Sequence, residues 1–492
     1  MKEKDHSHEL IGILILFLTF VFYQNFSSLT LLDIILLIAF MVGAGVVVFF
    51  FWNHKFSRRG RDESKRIKLL LGVPRPLLVS DSHGVAMGYD LDLKANVYLP
   101  DKIRSRHVHL IGSTGAGKTE SVILNFLRQD VKRGYGSIIL DAKGDTSFLE
   151  ELKILVPQKR LKVFDLSSNE SLGYNPTEVG SPLEAAQRLF SSLTWSEDYY
   201  KSKALVALQK LFQFHFEAHG RNAALSDLAN YLETPLSYAA VSKAQNYPLK
   251  MAESDYVELS GLRDQINSLC IGHLRSTLSP SGTKVSLDEA ASGSVIYFRL
   301  QSLLSPQLVA VVGKLVINHL SYLAGTAHRG INKSNAARVF VPVYFDEFAS
   351  FACPEFADLI SKARSAGLAL HFSHQSTGDL AEVSKGFLSQ ITDNSATKIV
   401  MRINDPDSAE FFARCFGTKR VQKVTQRITN AKETDTGEAM GEGSQREAHQ
   451  FRASPDLFKT LPTGVGSVLI AHGEDTEAGA SHVFKIRFPA LN

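Results

Sequence analysis

The 492-residue sequence has little cysteine: three residues, Cys270, Cys353 and Cys415, stand far apart. No CxxC pair and no His/Cys cluster at metal-ligand spacing occurs. That excludes a disulfide-stapled scaffold or a zinc ribbon and points to a reduced, cytosolic setting. His107 with His109, and His371 with His374, lie in apolar, strand-like stretches without acids or cysteines at suitable spacing. They read as core histidines rather than metal ligands. A net charge of +4 is too small to assign a partner by itself. The sequence also has no acidic or low-complexity tail after its closing apolar segments. Length and apolar content suit two or three domains with sizeable cores.

What is abundant is uncharged apolar sequence near the N-terminus. Residues 10–23 (LIGILILFLTFVFY) and 34–52 (IILLIAFMVGAGVVVFFFW) are two uncharged runs separated by a short polar turn and Asp33. A bilayer needs about 20 apolar residues per helix, so the second run is long enough. The first reaches that length by extending to Ser28. The flank NHKFSRRGRDESKRIK follows with seven Lys or Arg against two acids, and such a flank stays cytoplasmic. A cleaved signal peptide fits less well, because no A-x-A-like site follows the first run. The expectation for 1–53 is a transmembrane hairpin with helices about 10–28 and 34–52. It gives a two-span membrane protein, with both termini and the soluble body in the cytoplasm.

Beyond it, 54–105 reads as a basic juxtamembrane segment and a β-rich lead-in. From 106 to 180, and again from 291 to 492, short continuous apolar runs alternate with amphipathic stretches of helical spacing. VHLIG, SIILD, KVFDL, SVIYFRL, VFVPVYFD and LALHFSH are the strands of a parallel sheet covered on both faces. The stretch 181–290 breaks the rhythm with helical spacing alone and reads as an all-α insertion. Residues 421–450 are polar with few large apolar groups, the pattern of a mobile hairpin or disordered loop. SVLIAHG and HVFKIRF supply closing strands.

One motif carries chemistry at once. Gly112, Ser113, Thr114, Gly115, Ala116, Gly117, Lys118 and Thr119 fit G-x-x-x-x-G-K-[ST], between a strand and a helix. Glycines let backbone N–H groups curve around phosphates, and the following helix N-terminus favours anionic charge. Lys118 supplies a point charge to the β/γ oxygens of ATP, and Thr119 a ligand to Mg²⁺. Such a site also needs acids. Asp346 and Glu347, at the end of VPVYFD, offer one for the Mg²⁺ shell and one for the attacking water. A helix N-cap pair is the bland alternative. Water as nucleophile makes this an ATPase rather than a kinase. Gln375, at the next strand's exit, is placed to report the γ-phosphate or merely to cap the strand. Arg364, on the preceding helix, is either solvated or serves this site or a neighbour's. Asp141 and Asp145 in DAKGD sit beside the phosphates or only shape a turn.

The hairpin, HVHLIGSTGAGKT, IILDAKGD, GYNP, VYFDEF, ARSAGLALHFSHQS and DPDSAEFFARCFG occur in that order over essentially the whole chain. This resembles the coupling proteins of type IV secretion and conjugation systems, the TraG/TraD-like ATPases, kin of FtsK/HerA-type motors. The resemblance implies a RecA-like α/β P-loop domain with an inserted all-α domain, assembled as a homohexameric ring. It implies ATP-driven delivery of relaxase-bound single-stranded DNA, or of protein substrates, to the secretion channel. Gln375 then corresponds to a γ-phosphate sensor and Arg364 to an arginine finger reaching the adjacent subunit. Lys201, Lys203, Lys243 and Arg263 are candidates for DNA contact, though helix lysines are usually solvated. A substrate-receptor platform that uses ATP for gating is the competing reading. A chromosome translocase fits less well, with only two short spans and no winged-helix-like C-terminal region.

Overall fold

The computed structural model describes Leu77 and residues 83–243, 255–328, 339–384, 386–429, 438–471 and 481–489. The two N-terminal apolar runs and their basic flank lie outside the described residues. The lead-in forms a hairpin, β1 (Gly84–Asp90) and β2 (Ala95–Pro100). There follow β3 (Val108–Ile111), β4 (Ser137–Asp141), β5 (Leu161–Asp165), β6 (Val295–Arg299), β7 (Val341–Asp346) and β8 (Leu368–His374). Then come β9 (Thr397–Val400), the hairpin strands β10 (Thr418–Thr429) and β11 (Glu438–Phe451), and β12 (Val465–Ile470) and β13 (His482–Arg487).

Eleven of these strands form one sheet in the order β2-β1-β13-β12-β9-β3-β8-β7-β4-β6-β5. From β9 to β5 all neighbours are parallel; the four strands on the other edge pair antiparallel. The apolar runs are continuous because both faces of the parallel half are covered. Alternate residues feed two cores. Ile138, Leu140, Val343, Phe345 and Phe372 enter one cluster, while Ile139, Tyr297, Tyr344 and Leu110 enter the other. β9 is a short strand inside SATKIVMRI that the sequence pattern did not expose, since only Ile399 and Val400 of its four residues are apolar and so short a run carries no periodicity.

Between β5 and β6 lie the helices Pro182–Ser192, Asp198–His219, Leu225–Tyr231, Pro235–Lys243, Asp255–Glu258, Ser260–Ser268 and Leu274–Leu278. Their apolar faces join the same cluster as one face of the sheet. Ser181 opens the first of them through a capping box with Glu184 and a proline at the first turn. The helix Pro306–His328 is long and apolar enough to cross a membrane by length and composition. Val309, Val312, Leu315, Val316, Ile317 and Leu320 instead bury it in the core cluster that the insertion helices share with one face of the sheet. Gly313 marks a close approach: a Cβ there would lie 2.4 Å from the Cβ of Phe351. The polar stretch after 420 pairs as β10 with β11, a two-stranded ribbon outside the main sheet.

Candidate nucleotide-binding site

The ends of four adjacent parallel strands, β3, β8, β7 and β4, assemble the site. β3 runs into the glycine loop, where Gly115 (φ 73°) and Gly117 (φ 96°) take left-handed conformations that a side chain would oppose. The helix that follows opens with a wide turn over Lys118–Ile123 and continues as Leu124–Lys132. The loop's outer side is clamped by other segments. Gly112 N donates to His374 O (3.3 Å) and Ser113 N to Arg402 O (2.7 Å). Gly464 N donates to Ala116 O (3.0 Å), and Thr463 Oγ1 to Gly115 O (3.2 Å). Lys118 is buried, its ammonium folded back onto Gly112 O at 2.7 Å.

Thr119 Oγ1 donates to Asp346 Oδ2 at 2.6 Å, joining the loop to the end of β7. Asp346 Oδ1 accepts from the Ser373 hydroxyl of β8. Glu347 then takes a left-handed backbone (φ 50°, ψ 50°), unusual for a residue with a Cβ, and this turns its carboxylate away from the strand line. Gln375 Nε2 donates to both Glu347 oxygens (3.1 and 3.2 Å), while its Oε1 accepts from Thr114 Oγ1 (3.0 Å). Gln375 therefore bridges loop and carboxylate instead of merely ending a strand.

Asp141, at the end of β4, accepts from Lys143 N (2.9 Å), Gly144 N (3.0 Å) and the Tyr297 hydroxyl (2.8 Å). Burial, then the neighbouring Asp346 charge, push its carboxyl up to about 6 against the pull of those hydrogen bonds. Asp145 caps the helix Thr146–Leu155 and pairs with Lys143 at 2.7 Å, so turn chemistry accounts for it. A cleft of about 450 Å³ opens between the loop, Asp141, Lys143, Asp346, Glu347 and Thr463. Left-handed glycines, a buried lysine and the Thr119–Asp346 oxygen pair fit a nucleoside triphosphate with Mg²⁺, a hard cation that prefers oxygen ligands.

Arg364 lies apart from this cleft. It is exposed in the turn Arg364–Ala366, before the N-terminal end of β8. The loop lies beyond the C-terminal end of the parallel β3, so about 20 Å of strand separates the two. The four histidines are buried structural groups. His107 accepts from Leu370 N (3.1 Å), His371 accepts from Arg104 Nε (2.8 Å), and His109 meets His374 at 2.6 Å. No metal-binding cluster occurs among the described residues. Of the lysine and arginine candidates for DNA, Lys203 pairs with Glu258 (2.9 Å) and Arg263 stacks on Tyr256. Lys201 is exposed; the side chain of Lys243 lies outside the described residues. Ser373 and Thr463 were missed in the sequence. A serine inside LALHFSH was the one available signal for Ser373; nothing in PTGVG announced contact with a loop about 350 residues earlier.

Two family models match: the TraM recognition site of TraD and TraG over residues 341–462, and the central domain of the helicase HerA over 87–276. The type 4 coupling protein DotL of Legionella pneumophila is 22% identical over 430 residues, covering 72% of this chain and 54% of DotL. The chain thus spans about half the length of that curated relative. The conjugative coupling protein TrwB, lacking its first 70 residues and unbound, superposes with a TM-score of 0.62 at 14% identity, covering 85% of this chain and 91% of TrwB. TrwB with ADP and Mg²⁺ superposes with a TM-score of 0.60 at 14% identity, over 84% and 91%. By family models and curated relative this chain is similar to the type IV coupling proteins and to the HerA class of motors, and its fold is that of TrwB.

Proposed function

We propose that this chain is the membrane-anchored ATPase of a conjugative or type IV secretion system, delivering relaxase-bound single-stranded DNA or protein substrates to the channel. One observation carries the reading: the glycine loop, Thr119 with Asp346, and Glu347 with Gln375 converge on one cleft at adjacent strand ends. In that cleft the loop's N–H groups and Lys118 hold the phosphates of ATP, and Thr119 and Asp346 hold Mg²⁺. When bound, Mg²⁺ neutralises charge on the phosphate oxygens. Lys118 exchanges its bond to Gly112 O for phosphate oxygens, an exchange that replaces a neutral acceptor with an anionic one. Glu347 orients a water and takes its proton at the carboxylate; Gln375 ties that carboxylate to Thr114, which lines the phosphate cleft. TrwB's complex with ADP and Mg²⁺ supports the assignment of nucleotide and metal.

Arg364 completes the site from a neighbouring copy in a homohexameric ring, as an exposed cation distant from its own cleft. The apolar runs at 10–28 and 34–52 anchor the ring in the inner membrane as a two-span hairpin, with the motor in the cytoplasm. Residues 181–290 form the α-helical insertion, and 106–180 with 291–492 the motor. The test is steady-state hydrolysis by the full chain, with and without single-stranded DNA, beside Lys118→Ala. DNA-stimulated turnover that Lys118→Ala abolishes is expected. Equal turnover in both conditions, with plasmid transfer intact in the Lys118→Ala strain, overturns the reading.

A further inference from the structure

The ribbon β10–β11 stands outside the main sheet, closed at its base by Arg452 N donating to Gly417 O at 2.9 Å. Two-stranded ribbons are marginal by themselves in water, so this one calls for a reason to persist. Its basal half, Thr418–Lys423 against Arg446–Phe451, carries Lys419, Arg420, Lys423 and Arg446 and one carboxylate, Glu447. Residues directly opposite share a face, so the register sorts them. Lys423 faces Arg446, Val421 faces Ala448 and Lys419 faces Gln450 on one side. Arg420 with His449, Gln422 with Glu447 and Thr418 with Phe451 occupy the other.

One face of the basal ribbon therefore holds three cations, no acid and no aromatic ring. Lys419, Lys423 and Arg446 are exposed, and none of their side chains makes an ion pair or hydrogen bond with another described residue. Like charges directly across a ladder are destabilising. Lys423 opposite Arg446 is such a pair, with no carboxylate on its face to relieve it. Lys419 extends the charge about 13 Å along the strand.

We infer that this face binds the phosphate backbone of single-stranded nucleic acid through Lys419, Lys423 and Arg446. The identity of the polyanion rests on the proposed DNA-delivery function. The face lacks an aromatic platform, so it contacts phosphates and not bases, and its binding is sequence-independent and salt-sensitive. It also lacks the large apolar groups by which a membrane-surface element sinks into lipid. An acidic protein segment is the competing occupant.

The experiment measures binding of a labelled oligothymidylate to the full chain from 50 to 200 mM salt, in the wild type and in the triple variant Lys419→Gln/Lys423→Gln/Arg446→Gln. Removal of three cations from single-strand phosphates makes the slope of log K against log salt shallower by about 2, and lowers affinity near 100 mM on the order of a hundredfold. Nucleotide-analogue binding is unchanged, which shows an intact fold. The triple Lys419→Arg/Lys423→Arg/Arg446→Lys exchange retains wild-type binding. Arg420→Gln, on the other face, shifts the slope much less than the triple variant. A wild type that binds DNA while the triple variant keeps its slope overturns the ribbon assignment and leaves the delivery function standing. A wild type that binds no DNA overturns the inference together with the DNA arm of the delivery function. Loss of polyglutamate binding in the triple variant, with DNA binding intact, assigns the face to an acidic protein instead and overturns the inference.

Discussion

Glu347 is the residue at which function and stability pull apart, and paired substitutions separate them. Its left-handed backbone costs a side-chain-bearing residue about 1–2 kcal/mol, while its carboxylate accepts two hydrogen bonds from Gln375. Glu347→Ala keeps the backbone cost and loses those bonds, for a loss of about 1 kcal/mol. Glu347→Gly loses the same bonds but removes the backbone cost, offset in part by the larger chain entropy of glycine, about 0.5–1 kcal/mol. Glycine is therefore the more stable of the pair by roughly 0.5–1 kcal/mol. Both variants lack the proposed base, so hydrolysis falls by about 10²–10⁴-fold in each, with nucleotide-analogue affinity within a few-fold of wild type. Denaturation midpoints without nucleotide, beside steady-state phosphate release, check this. If alanine is as stable as glycine, the strain argument fails. If either variant keeps more than a tenth of wild-type turnover, Glu347 is not the base.

The other predictions concern the ring, the buried histidines and the core. Arg364→Ala abolishes hydrolysis but not nucleotide binding, and mixing it with Glu347→Gln protein restores part of the activity, because some interfaces then pair an intact glutamate with an intact arginine; loss of nucleotide binding in Arg364→Ala would refute the role in trans. His319, buried beside the Tyr174 hydroxyl (3.0 Å), is held down to about 3 by desolvation. Its unfolded form binds a proton near pH 6.5, so its contribution to stability is full above that value and is lost as pH falls toward 3. The effect is at most about 5 kcal/mol. His319→Gln therefore flattens the acid limb of the stability curve; an unchanged limb rejects the assignment. Gly313→Ala drives a methyl into Phe351, costing about 1–3 kcal/mol, read as a lowered thermal midpoint.

Much of the site was legible because each part rides on a strand end. A continuous apolar run followed by Gly, Asp-Glu or Gln announces both the strand and the group it projects, and the parallel topology then gathers strand ends on one side. Asp141 shows where this reasoning stops. Its residue type was visible, but its burial beside Asp346 and its bond from Tyr297 depend on β4 lying between β6 and β7. No local pattern encodes strand order. The Thr463 contact with the glycine loop is more remote still, since it depends on β12 turning antiparallel next to β9. The basic ribbon was read from composition as a polar segment, hairpin or disordered. Which cations share a face follows only from the register of the two strands.

The position of Arg364 is the physical ground for the proposed multi-subunit site. A RecA-like sheet collects its phosphate-facing groups at the C-terminal ends of parallel strands. A residue in the turn before a strand is therefore held away from its own cleft by the strand's full length, about 20 Å here. No rotamer spans that distance, and the strands between are buried on both faces. An exposed guanidinium there serves either solvent or another molecule. A ring that repeats the chain head to tail brings the turn of one copy to the cleft of the next, a heterologous contact that closes only when the rotation per subunit divides a full turn. In the proposed ring, hydrolysis depends on the seating of the neighbour. That dependence lets each copy sense the state of the next, and lets a polyanion bound along the ring couple to the nucleotide without touching it.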